Sequence, residues 1–194
     1  MAKRGETKET IINAAEKLFF KNGFERTTVK MILEEARVVT GSFYHFFPSK
    51  EMLFEDVVER FLIQYERRIR AILENESLSV NQIIEGILRE MSQSAEAYYN
   101  VLEGDRLHWT IQSALHERTL TAMIEPLSNA LARLKECGEI KSNLNVGDRT
   151  LAAILIKGSE AIIYSEAAEG SARFRSGSIH RKLTEFWKHI LRFS

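Results

Sequence analysis

With 194 residues and 44% hydrophobic content, the chain has material for one small domain and one larger one. Its 27 basic and 27 acidic side chains cancel, so it is not a uniformly charged binder of polyanions. A single cysteine, Cys137, excludes an internal disulfide and any zinc site built on paired cysteines. No apolar run approaches the roughly 20 residues of a membrane span, and the opening MAKRGETKET lacks the apolar stretch of an export signal, so a cytoplasmic protein is expected. Two prolines and no useful length of Val/Ile/Thr alternation predict an all-α chain.

The charge is uneven along the sequence. Residues 1–50 carry nine Lys/Arg and six Asp/Glu, which leaves 18 against 21 of the 27 and 27 for the rest. A basic head on an acidic body suits a nucleic-acid contact. On charge alone, ordinary fluctuation explains it equally well.

In the stretch Thr27 to Lys50, apolar residues fall at Val29, Ile32, Leu33 and Ala36, then resume at Val38, Phe43 and Phe47. The spacing predicts two short helices sharing one small core, to which Phe19, Phe24 and Phe46 are also assigned. Thr27 and Thr28 are natural N-caps for the first. The second would hold Thr40, Gly41, Ser42, Tyr44 and His45 around a buried Phe43. Small or polar residues at its N-terminal end are what a helix needs to enter a major groove, and Val39 can meet a thymine methyl. Lys50, after Pro48-Ser49 at a helix start, is a candidate phosphate contact. Lys3 and Arg4 read as a basic arm or a disordered terminus.

After Pro48 a long amphipathic helix is predicted from Ser49 to about Leu73, with Phe54, Val57, Phe61, Tyr65, Ile69 and Ile72 on one face. Ser79 and Gln82 form a capping box before a second long helix through Ile83, Ile87, Met91 and Tyr98. A short helix over Asp105 to Ala114 precedes a third long one carrying Leu120, Met123, Leu127, Leu131 and Leu134, which Pro126 kinks unless it marks a boundary. Cys137-Gly138 ends it. The last two helices, about Val146 to Ala168 and Ser178 to Phe193, flank a Gly/Ser/Arg loop.

Residues 7 to 62 resemble the DNA-binding domain of the tetracycline-repressor (TetR) family of bacterial transcription regulators. The matching residues are Ile11, Ala14, Ala15 and Leu18-Phe19; Asn22-Gly23-Phe24; Thr27-Thr28-Val29 and Ile32; and Gly41, Tyr44-His45, Phe47 and Ser49-Lys50-Glu51. The resemblance implies a three-helix helix-turn-helix domain over 1–50 and a helical effector-binding and dimerisation domain over 51–194. It further implies that Thr27, Thr28, Val39, Thr40, Gly41, Ser42, Tyr44, His45 and Lys50 face an operator in double-stranded DNA. Two departures sit in the turn. Where the family usually has Ala-Gly-Val-Ser, this chain has Ala36-Arg37-Val38-Val39. A non-glycine residue in a left-handed position costs on the order of 1 kcal/mol. Val39 cannot cap the recognition helix, so Thr40 is expected to take over one residue later, and an unusual base preference follows.

The resemblance also implies a homodimer through the last two helices. The expected interface residues are Leu151, Ile154, Leu155, Gly158, Ala161, Ile162, Ile179, Leu183, Phe186, Trp187 and Ile190, which also read as an intramolecular core. It implies a pocket for a small-molecule effector, hydrophobic or aromatic, with Met91, Tyr98, Trp109 and Met123 as lining and His108 and His116 as polar anchors. Each of these reads as plain core too. No cofactor or metal is called for, since the five histidines lack metal-ligand spacing. No enzyme is expected, because His116-Glu117 does not continue to HExxH and no phosphate-cradling loop or nucleophile motif is present. The function so implied is a sequence-specific transcriptional regulator, by default a repressor released by its ligand. The alternative is a dimeric helical ligand-binding or interaction protein that has lost specific DNA binding.

Overall fold

The computed structural model describes residues 4–101, 109–168 and 176–193. Among them are the helices α1 (Arg4–Asn22), α2 (Val29–Ala36), α3 (Thr40–Phe46), α4 (Lys50–Leu73), α5 (Val80–Val101), α6 (Trp109–Ala122), α7 (Ile124–Glu136), α8 (Asp148–Ala168) and α9 (Ser176–Ile190). Lys3, His108 and the side chains of Arg4 and Trp109 lie outside the described residues. The chain divides into two compact units, residues 1–62 with 97–115, and residues 63–96 with 116–194. Helices α4 and α5 each contribute one stretch to each unit.

In the first unit α1 packs against α2 and α3. Phe19, Phe24 and Phe54 form its centre, with ring centroids 5.4, 5.3 and 4.6 Å apart. Such aromatic pairs add about 0.5–1.5 kcal/mol each beyond the area they bury. Phe43 and Phe47 are buried as expected, whereas Phe46 is only partly covered. Gly23, at φ 84°, ends α1 in a left-handed conformation, its N–H bonded to Phe19 O at 2.8 Å. Val101 at the end of α5 also belongs to this core, and its carbonyl accepts from Phe24 N.

The second unit buries Tyr65, Ile69, Ile83, Leu88, Leu131, Leu151, Leu155, Leu183 and Trp187. Within it α7 packs extensively on α8, and α8 on α9. The capping box forms: Ser79 N donates to Gln82 Oε1 at 2.9 Å and Gln82 N to Ser79 Oγ at 3.4 Å. Trp187 Nε1 donates to the buried Ser159 Oγ at 2.9 Å, which satisfies the one polar atom of that indole.

The boundaries differ from expectation at Met123 and at the end of the last helix. The helix expected over Leu120 to Leu134 is broken at Met123, so Leu120 belongs to α6. Pro126 then sits in the first turn of α7, where its missing N–H has no helical acceptor to lose, and it marks a boundary rather than a kink. The last helix ends at Ile190, and Leu191–Phe193 (β2) pairs antiparallel with Ile140–Ser142 (β1), Lys141 opposite Arg192. Three-residue strands are too short for periodicity to reveal.

Candidate nucleic-acid interface

The helix-turn-helix is built from its caps. Thr28 Oγ1 accepts from Met31 N at 3.2 Å and starts α2. Arg37 ends it at φ 55°, ψ 41°, and Val38 N donates back to Leu33 O at 3.1 Å, so the left-handed closure forms around an arginine. Val39 is the N-cap of α3 and makes no side-chain cap bond. Thr40 does not take over that role, because it is already the first helical residue. Ser49 opens α4 by accepting from Met52 N at 3.2 Å.

On this frame Thr28, Val39, Thr40, Gly41, Tyr44 and His45 are exposed and Ser42 is partly so. Among the described residues of the first unit, Val39 at 73% and Tyr44 at 55% are the most exposed large apolar side chains. The Tyr44 ring leans edge-on against Phe43, 5.1 Å between centroids, which anchors the ring and leaves its outer edge in solvent.

Two expected contacts do not belong to this surface. Thr27 is fully buried, its hydroxyl donating to Gly23 O at 2.8 Å and lying 3.2 Å from Leu18 O, so it locks the turn between α1 and α2. Lys50 turns inward. Its ammonium donates to Phe24 O and Thr27 O, both at 3.1 Å, and rests 3.9 Å from the Phe24 ring centroid. Three N–H groups facing two carbonyls and a π face leave little to offer a phosphate.

Of the residues read as an effector site, the structure brings Met91 and Met123 together, in the second unit at an apolar cavity of about 20 Å³, walled also by Tyr65, Ile69, Leu127 and Trp187. Tyr98 lies in the first unit, stacked on Phe61 at 6.2 Å, and burial pushes its phenol up to about 12. His116 on α6 places Nε2 3.3 Å from Glu160 Oε1, and Lys157 bridges Glu160 and Glu117. Burial lowers the His116 imidazole below its ordinary value, against the pull of Glu160. The sequence reading missed Tyr65 and Trp187 as cavity wall; Tyr65 shares the apolar face of α4 with Ile69, the only signal available.

Of the expected interface residues, Leu151, Leu155, Ile179, Leu183, Trp187 and Ile190 are core, at 9% exposure or less. They pack inside the unit, so no partner can cover them further. Ile154, Gly158, Ala161, Ile162 and Phe186 remain partly or fully accessible, with Tyr164 beside them at 66%. The Phe186 ring lies so close over Gly158 that a Cβ there would fall within it.

The family model described as bacterial regulatory proteins, tetR family, matches residues 11–57. The HTH-type transcriptional regulator UidR of Escherichia coli K12 is 34% identical over 70 residues, covering 34% of this chain and 36% of UidR. The HTH-type transcriptional repressor NemR of the same organism is 33% identical over 70 residues, covering 36% of this chain and 35% of NemR. The chain thus matches about a third of the length of these relatives. Likeness in fold extends further. The crystal structure of reduced E. coli NemR aligns with TM-score 0.69 at 21% identity over 96% of this chain and 98% of that one. A transcriptional regulator from Cytophaga hutchinsonii aligns at 0.75, 21% identical, over 92% and 91%. The head, residues 11–57, thus matches the tetR family of bacterial regulatory proteins in sequence, and the chain as a whole is similar to these solved structures in fold.

Proposed function

We propose that this chain is a sequence-specific DNA-binding transcriptional regulator that acts as a homodimer, a repressor released from its operator by a small molecule. The observation that carries the reading is α3, a short helix held by buried Phe43 that presents Val39, Thr40, Gly41, Tyr44 and His45 to solvent. Laid in a major groove, its N-terminal end brings the Thr40 and Ser42 hydroxyls to base edges and Val39 to a thymine methyl, while Tyr44, His45 and Thr28 lean on the backbone. One seven-residue helix reads too few base pairs to find a site in a genome, whereas a two-fold dimer reads two half-sites about one helical turn apart. The accessible face of α8 and α9 around Gly158, with Ile154, Ala161, Ile162 and Phe186, is the surface for the second copy. The effector site is the apolar cavity of the second unit, and α4, which lends residues to both units, is the element through which its occupation reaches the head.

The test is selection of bound sequences from a random duplex pool by the purified protein at two salt concentrations. A palindromic pair of half-sites whose binding weakens with salt is the expected outcome. No enrichment at either salt would leave a dimeric ligand-binding or interaction protein in its place.

A further inference from the structure

Among the described residues, Arg37 at φ 55° is the sole one other than glycine with a positive φ. A Cβ crowds the backbone in that region, which glycine occupies freely and an arginine does not. Such strain persists where the surroundings or the function of the residue offset it. The surroundings of Arg37 do not. Its backbone N–H closes α2 on Glu34 O at 3.3 Å, and Val38 N returns to Leu33 O at 3.1 Å, bonds that a glycine at 37 would allow equally well. Its side chain is exposed and makes no hydrogen bond or ion pair among the described residues. The Glu35 carboxylate, which feels Arg37 through space, is already held by Lys17 at 2.6 Å. Lys21 acts on the same carboxylate, so three cations stand around one anion and this edge of the head is left positive. Arg37 also lies two residues before Val39, the N-cap of α3, at the end of that helix where Val39, Thr40 and Gly41 are exposed.

We infer that Arg37 is a phosphate contact: on each head its guanidinium bonds the DNA backbone at the edge of the groove that α3 enters. This rests on the reading of α3 as the recognition helix, and adds a contact to Thr28, Tyr44 and His45. A planar guanidinium with all its N–H groups unengaged suits paired bonds to phosphate oxygens. Such a bond fixes the register of the head on the duplex and reads no base.

Filter binding of the full-length protein to its selected operator, over a salt series, tests it with the parent, Arg37→Gly and Arg37→Lys. One contact per head is two per dimer, so Arg37→Gly should make the slope of log K against log salt shallower by about 1.8. With the two lines meeting near 1 M salt, that difference amounts to roughly sixtyfold weaker binding at about 0.1 M. Arg37→Lys keeps the charge on the same strained backbone and should keep the slope. The sequence that Arg37→Gly selects from a random pool should be the parent's. Arg37→Gln, uncharged and still bearing a Cβ, repeats the measurement should glycine loosen the turn. Weaker binding at an unchanged slope would make Arg37 a structural part of the turn, and a selected site altered at one position would make it a reader of bases; either overturns the proposal, as does full affinity in Arg37→Gly. A parent protein that selects no sequence removes the regulatory reading and this contact with it, whereas a parent that binds its operator while Arg37→Gly keeps the parent's slope removes this contact alone.

Discussion

Lys50 is placed by the structure as a brace of the DNA-binding head rather than a hand on the DNA, and Lys50→Met separates the two roles. Methionine keeps the apolar stem and removes the ammonium that bonds Phe24 O and Thr27 O at 3.1 Å each. Those carbonyls flank the turn that delivers Thr28 to the start of α2. A hydrogen bond to a charged group contributes about 1.5–3 kcal/mol. Because Lys50 is only partly buried and water replaces some of the loss, we expect a total of about 2–3 kcal/mol for the two bonds and the cation–π contact together. In urea the midpoint should fall with the slope unchanged. Operator affinity should drop with the loosened turn, but the slope of log K against log salt should stay as in the parent. Loss of a phosphate contact would instead make that slope shallower by about 0.9 per site. An unchanged urea midpoint together with a shallower salt slope would refute the assignment.

Three further outcomes follow from single positions. Arg37→Gly relieves the left-handed strain at φ 55° but loosens the unfolded chain, so a net gain of about 0.5 kcal/mol is expected by thermal melting; a loss would mean that the arginine side chain stabilises the turn. Gly158→Ala puts a methyl into the space of the Phe186 ring and should cost about 1–3 kcal/mol, with recovery in the double variant Gly158→Ala, Phe186→Leu; no recovery would place the cause elsewhere. His116 is held neutral chiefly by burial, its folded value below 6.5. Its stabilising share is therefore complete above the unfolded value and is lost as pH falls from about 6.5 toward the folded value, since the unfolded chain takes up the proton first. Stability of the parent should fall more steeply between pH 7 and 5.5 than that of His116→Gln; parallel curves would sink the reading.

The head was legible because its signals are local. Thr28 as cap and Ser79 with Gln82 as capping box are each fixed by neighbours within three residues. Arg37 in the glycine position was legible as strain, and the backbone does adopt the left-handed geometry there. What failed depended on which face of a helix turns inward. Helix α8 is apolar on more than one side, so Leu151 and Leu155 look no different in sequence from Ile154 and Ile162, yet the first pair is core and the second only partly buried. Lys50 failed for a related reason. A helix-start lysine points to phosphate by type, and only the fold reveals two carbonyls from residues 23 and 26 positions earlier in the chain within its reach.

The basic balance of the head promises more electrostatic affinity than the structure can deliver. Lys8 pairs with Asp56 at 2.8 Å, Lys17 with Glu35 at 2.6 Å and Lys30 with Glu34 at 3.9 Å. The Lys17 hydrogen bond holds the Glu35 carboxyl below its ordinary value, so that pair stays ionised in mild acid. Arg26 donates to Asn22 O at 2.7 Å and Lys50 is turned inward. Of the described side chains among the first fifty residues, Lys21 and Arg37 alone are cations without a bond or ion pair, and they act only through space on Glu35. Two such cations on each of two heads release about four counterions, which gives a salt slope near −4 rather than the −10 of a heavily basic binder. Specific binding must then lean on Val39, Thr40, Ser42, Tyr44 and His45, and binding to random duplex should be weak even at low salt. Filter binding of the selected operator and of random duplex over a salt series measures both slopes. A slope of −8 or steeper would show that the surface pairs, held weakly because they stand in solvent, open on DNA and hand their lysines to phosphates.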